Sequence, residues 1–344
     1  MSTDAAFKSG TASADPGGDV GDGHSLAVAL APALMHECGG RLSTIEWFRS
    51  TWQRGGSATG FAHWREDAGR ELDVLVKLPV GPVEHRWTTR LGAFDPGDGA
   101  YRPTPRVVAA GRAIGGYDLG WLVIERLDGH TLNSTWNQES LESLLRAAAR
   151  LQRIAVDAEP VGSGTHPPPP NWELLVERAR DAARGGDVPD AQKWNDALKR
   201  LHRALPRLSA RWDGRAIGTW CHGDLHPGNA MRRPTAGRSA PDPGCVLIDL
   251  AFMHAGHWVE DAVYLERQFW SHPEQLFGVH PVSLLAKYRR EQGLHTDDDY
   301  GSLANVRRVL MAACVPAFVA REGSPRYVHA ALEALHRLMP QVGA

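Results

Sequence analysis

The hydrophobic period of the chain changes near residue 130, and that change sets what it can fold into. Before it, short runs rich in β-branched and aromatic residues alternate with turn signals: Thr44 to Gln53, Thr59 to Arg65, Leu72 to Leu78, Arg106 to Ala110 and Trp121 to Leu127. Each reads as a strand, and the first two flank the Gly-rich turn Arg54-Gly55-Gly56-Ser57-Ala58. After residue 130, Leu141, Leu144, Leu145, Ala148, Leu151 and Ile154 recur at three and four residues, as one face of a long helix does. Further helical patterns lie near 171–184, 189–210, 259–271, 281–292, 301–320 and 325–338. Within the strand-rich part, Pro82 suits the first position of a helix running to about Leu91. The expected class is α+β, in two lobes: a small antiparallel-sheet lobe with one helix over 25–130, and a larger, mainly helical lobe over 131–344. An additional helix, Leu26 to Cys38, is expected behind a Ser25 cap, stopped by Gly39 and Gly40 and kinked or split at Pro32. Residues 1–24 are polar, with Phe7 as their sole aromatic, and read as a mobile tail.

Composition narrows the function classes. With 42% hydrophobic and 23% charged residues and a formal net charge of −2, the chain falls in the soluble globular class and has no general field for gripping a phosphate backbone. Nucleic acid is therefore not expected as a partner. The apolar run Leu26 to Met35 is far shorter than the ~20 residues of a spanning helix and has no basic stretch before it, so neither membrane insertion nor export is expected. Cys38, Cys221, Cys245 and Cys314 are scattered, with no CxxC pair, which suits reduced thiols in a cytoplasm. Nothing in the sequence sets the oligomeric state.

The densest group of unusual residues is Cys221-His222-Gly223-Asp224-Leu225-His226-Pro227-Gly228-Asn229. Downstream, Gly244-Cys245-Val246-Leu247-Ile248-Asp249 is a buried-strand pattern that ends on an acid. Two carboxylates and a carboxamide thus sit at the ends of neighbouring short strands. Oxygen ligands of this kind hold Mg²⁺ while one carboxylate remains for the proton, a division of labour that phosphoryl transfer needs.

His222 to Asn229 resembles the H-G-D-x-H-x-x-N loop of the aminoglycoside phosphotransferase and choline kinase-like enzymes. The resemblance covers about residues 41–270 and implies a two-lobed protein-kinase-like fold and an ATP-dependent, Mg²⁺-requiring kinase of a small molecule. It implies that Asp224 is the catalytic base, Asn229 a magnesium ligand and Asp249 the main one. Val74-Leu75-Val76-Lys77 is similar to the third-strand lysine segment, with Glu84 as its ion-pair partner, and Trp121 to Leu127 to the strand entering the hinge, whose backbone near Glu125 and Leu127 meets adenine. Backbone amides around Gly55, Gly56 and Ser57 would cover phosphates. His222 belongs to the catalytic motif, with loop bracing as its simpler role, and Asp261 is placed as a structural acid at the head of a helix. Glu260, Glu266 and the Asp297-Asp298-Asp299 run are candidates for an amino-sugar acceptor, although the three aspartates also make a good helix cap.

Other readings compete. Lys77 could be a snorkelling strand-end lysine, Glu84 a first-turn acid favoured by the helix dipole, and the Asp and Asn residues ordinary turn formers. His222, Asp224 and His226 could form an H-x-D-x-H metal cluster of a hydrolase, and His254 and His257 beside Glu260 invite a zinc site. A kinase-shaped nucleotide binder without turnover is the third alternative.

Overall fold

The structure, a computed structural model, describes residues 23–48, 57–67, 69–94, 102–162, 170–186, 188–233, 244–319 and 324–344. The expected mobile tail lies outside these residues except at its end, and so do Gly55 and Gly56.

Helix α1 (Gly23–Glu37) is followed by β1 (Glu46–Phe48), β2 (Ala58–Arg65), β3 (Glu71–Val80), helix α2 (Pro82–Gly92), β4 (Val107–Gly111) and β5 (Gly120–Glu125). The strands form one antiparallel sheet in the order β1-β2-β3-β5-β4. Helix α1 begins at Gly23, ahead of the expected Ser25 cap, and runs as one element through Pro32, so no split occurs. The first expected strand is shorter than read: within the described residues it covers Glu46–Phe48.

Alternation along β3 decides where Lys77 goes. Val74, Val76 and Leu78 are buried with Ala27, Leu30 and Leu34 of α1, so the helix covers that face of the sheet. Lys77, one residue out of phase, lies on the other face, opposite Thr59 of β2 and Leu122 of β5. The β3–β5 register shifts directly after Lys77, where Pro79 has no N–H to give the ladder.

The second lobe holds α3 (Gln138–Ala158), α4 (Trp172–Arg184), α5 (Ala191–Asp213), β6 (Thr219–Cys221), β7 (Ala230–Arg232), β8 (Cys245–Leu247), β9 (His254–Gly256), α6 (Val259–Gln268), α7 (Pro281–Glu291), α8 (Tyr300–Ala313), α9 (Val315–Val319) and α10 (Pro325–Leu338). One continuous core runs through these helices, and α3 shows why they form: Leu141, Leu144, Leu145, Ala148 and Leu151 are fully buried on one stripe. The single helix expected over 301–320 is two, α8 and α9, parted at Cys314. The Asp297 to Asp299 acids do not cap α8 through their side chains: Asp297 pairs with His257 and Asp299 with Arg211.

Helix α2 joins the lobes. Its Trp87 and Leu91 are buried in the helical lobe's core, and the Trp87 and Trp220 rings lie 4.5 Å apart. Glu84, at the other end of the same helix, faces the sheet lobe's Lys77. Because Trp87 fills a site built from both lobes, Trp87→Ala should lower unfolding free energy by about 3–5 kcal/mol in urea melts. A change of less than about 1 kcal/mol would mean that the contact between lobes is not packed as described.

Candidate active site

Strand β6 ends at Cys221, and the chain then passes through His222 to His226 into a 3₁₀ turn, Pro227–Asn229, before β7. Strands β7 and β8 pair with Ala230 opposite Leu247, and Ile248 N–H donates to the Asn229 carbonyl at 2.9 Å. That ladder brings Asn229 and Asp249 to the same end of a two-stranded ribbon. Gly223 has φ +80, and a Cβ there would run into the Phe252 carbonyl, so the loop needs glycine at this position.

A loop with so little secondary structure must have its amides satisfied from elsewhere. Asp261, in the first turn of α6, does this: it accepts from His222 N and Gly223 N, both at 3.0 Å, and from Gln152 Nε2 at 3.0 Å. Asp261 is thus a structural acid at the head of a helix, as expected, and what its carboxylate holds is the loop. His222 is fully buried and ties the two active segments together. Its Nδ1 accepts from Asp224 N at 3.3 Å, so Nε2 carries the proton and donates to the Ile248 carbonyl at 3.1 Å. Burial pulls the His222 pKa down despite Asp261, Asp224 and Asp249 nearby, which keeps this neutral tautomer. With both ring nitrogens engaged by backbone, His222 is a positioning residue and cannot join His226 and Asp224 in a metal cluster.

Asp224 is held at both oxygens. Tyr264 OH donates to Oδ1 at 2.5 Å, Asn229 Nδ2 donates to Oδ2 at 3.0 Å, and His226 Nε2 lies 3.7 Å from Oδ2. Burial alone would push its pKa up, but the His226 and Tyr264 contacts outweigh it and hold the carboxyl at about 2. Asp224 is therefore ionised at neutral pH. Burial pushes the Tyr264 phenol up, so it stays a donor.

Asp249 is different. It sits at φ 61, ψ 69, in the left-handed region that costs most residues energy and that Asp tolerates better than most. Its carboxylate makes no hydrogen bond or ion pair among the described residues, and Asn229 Oδ1 is likewise without a hydrogen-bond partner there. Two oxygen donors without protein partners, one on a strained residue, suit a hard divalent cation. Leu250, the next residue, is buried in the core shared with Trp87 and Leu91.

On the sheet lobe, Lys77 Nζ donates to Glu84 Oε1, with both side chains largely buried (16% and 8% exposed). Ser57 precedes β2 and is half-buried. In the hinge, the Glu125 side chain forms a bidentate pair with Arg233 (2.6 and 2.7 Å) and accepts from Arg106 N at 2.8 Å. This clamps the strand leaving the sheet to the end of β7. The Leu127 backbone makes no hydrogen bond with the described residues.

The two acids expected to face an acceptor do not stand free. Glu260 accepts from Arg215 Nε at 3.1 Å and His257 N at 2.9 Å and lies near His254 and Arg307, and Glu266 is gripped by Arg308 at 2.7 and 2.8 Å. Both carboxylates are neutralised inside the lobe. The zinc idea fails on the same ground: His254 turns to Glu260, and His257 turns to Asp297 at 2.8 Å. Cys221, His254 and Glu260 do approach one another, but two arginines already share that carboxylate. All four cysteines are free and buried.

Residues 60–305 match the model of the phosphotransferase enzyme family. The chain belongs to that family. Among solved structures, it is similar to choline kinase from Cryptosporidium parvum Iowa II, with 12% identity, TM-score 0.52, and 92% of this chain and 95% of that one covered. It is also similar to an aminoglycoside phosphotransferase from Alicyclobacillus acidocaldarius, with 15% identity, TM-score 0.51, and coverage of 88% and 93%. No curated protein matches it. The fold is the two-lobed protein-kinase-like one that the His222 to Asn229 motif implied. Among the described residues no helix is long and apolar enough to cross a membrane.

Asp261→Ala should leave the His222 and Gly223 amides without acceptors, at about 1–3 kcal/mol each. Amide exchange at His222 and Gly223 should then accelerate by an order of magnitude or more, and unchanged exchange would contradict the assigned role.

Proposed function

We propose that the chain is an ATP-dependent small-molecule kinase that moves the γ-phosphoryl group to a hydroxyl of an acceptor bound between the lobes. The observation that carries this reading is the gathering of Asp224, Asn229 and Asp249 at one end of the β7–β8 ribbon, with Asp249 on a strained backbone and without a partner among the described residues.

Asp224 orients the acceptor hydroxyl. A carboxylate held at about 2 is a weak base, which is adequate here, because the transition state is loose and asks for alignment more than early proton removal. Asp249 and the Asn229 side-chain Oδ1 would hold Mg²⁺, which when bound supplies the positive charge that neutralises the phosphate oxygens. Lys77, oriented by Glu84, steadies the α and β phosphates. Backbone amides of Gly55, Gly56 and Ser57, next in the chain to the strand that pairs with Lys77, would cover them. Backbone groups near Glu125 and Leu127 meet adenine. His222 fixes the distance between the segments of Asp224 and Asp249 by its hydrogen bonds to each.

The nucleotide lobe is residues 25–130 and the acceptor lobe 131–344, and the protein works in the cytoplasm as its free thiols suggest. An aminoglycoside-like or other small polar metabolite is the acceptor class. Because Glu260 and Glu266 are paired internally, they offer an amino sugar no free negative charge.

Asp224→Ala should lower turnover by about 10²–10⁴-fold while nucleotide affinity stays nearly constant, because the residue acts on the acceptor. Asp249→Ala should abolish magnesium-supported nucleotide binding in calorimetry. Equal turnover in Asp224→Ala refutes the assignment, and ATP binding without transfer to any of a panel of hydroxylated metabolites points to a silent nucleotide binder.

A further inference from the structure

Tyr264 stands at the reacting end of Asp224, and the family motif does not account for it. It lies three residues after Asp261 on α6, one turn along the same face, so one helix both holds the loop and reaches its carboxylate. The ring is anchored by Arg267, whose guanidinium carbon lies 4.6 Å from the ring centroid and which is 5% exposed. Asn229 takes Oδ2, and the Tyr264 hydroxyl takes Oδ1 at 2.5 Å. An acceptor hydroxyl oriented by Asp224 must donate to this same carboxylate. A water molecule would do the same, and it is smaller and present at far higher concentration.

We propose that the Tyr264 hydroxyl closes Asp224 Oδ1 to water until an acceptor hydroxyl displaces it, so that Tyr264 couples ATP use to acceptor binding. This rests on the kinase reading above. Tyr264 is a positioning residue: it acts through Asp224 and forms no bond to the phosphoryl group. The reaction it suppresses is hydrolysis. There the water oxygen bonds to the γ-phosphorus, the bond from that phosphorus to the bridging oxygen breaks with its electron pair leaving on ADP, and a water proton passes by way of Asp224 to solvent.

Tyr264→Phe keeps the ring under Arg267 and removes only the hydroxyl. ADP release from Mg-ATP with no acceptor present should rise roughly ten- to a hundredfold, the range that one hydrogen bond to a charged group is worth. A merely structural bond would give the opposite sign, because loosening Asp224 lowers every rate. In the double variant Asp224→Ala/Tyr264→Phe the rise should vanish, which routes the leak through Asp224. A leak that is unchanged or lower in Tyr264→Phe overturns the inference, and so does a rise that survives in the double variant. Calorimetry of the wild-type chain with Mg-ATP separates the two levels: binding with no gain in leak sinks the Tyr264 role alone, whereas no binding sinks the kinase reading together with it.

Discussion

Asp261 makes a loop of glycine, proline and polar residues into a rigid platform. The segment from His222 to His226 has neither a strand partner nor a helix to absorb its amides, and an unpaired buried N–H costs as much as a lost hydrogen bond. One carboxylate on α6 takes two of those amides, and Gln152 from α3 fixes the carboxylate in turn. Arg289 of α7 then donates to Gln152 at 2.6 Å, so the loop is anchored through a buried polar chain to three helices. Asp224, Asn229 and His222 inherit their positions from it.

The second constraint is the distance between the lobes. Helix α2 presents Glu84 to the sheet lobe and Trp87 and Leu91 to the helical lobe, and it packs on the turn that follows Asp249. Lys77 and Asp249 are therefore referred to one rigid element. The Glu125–Arg233 pair does the same for the hinge, tying the end of β5 to the end of β7. A cleft whose walls are fixed at both ends presents pre-aligned groups to a transferring phosphoryl, and alignment is most of what this chemistry asks of a protein.

Much of this was legible in the sequence. The period change near residue 130 separated sheet from helices because burial on one face imposes a two-residue repeat in strands and a 3.6-residue repeat in helices. The Lys77–Glu84 pair was legible because its partners lie seven residues apart, and the His222 to Asn229 loop because its residues are contiguous. What escaped was tertiary. Nothing near Glu260 or Glu266 in sequence announces Arg215, Arg307 or Arg308, so two paired acids read as open ones. Asp261 was legible as a structural acid at a helix head, but not which amides it holds, because those lie 38 and 39 residues upstream. Tyr264 carried a readable signal, its i+3 spacing from Asp261, but only the folded loop shows which carboxylate it meets. Pro32 was read as a kink or a split, and α1 continues through it as one element, because packing of Ala27, Leu30 and Leu34 on the sheet outweighs one missing hydrogen bond.

The central claim is that this cleft transfers phosphorus from a nucleotide to an alcohol. Phosphorus NMR of the wild-type protein with Mg-ATP and a mixture of hydroxylated metabolites tests it most directly. The γ-phosphorus resonance should give way to a new phosphomonoester signal that grows in step with ADP. An ATP spectrum that stays constant, or phosphorus that appears only as inorganic phosphate, would contradict it.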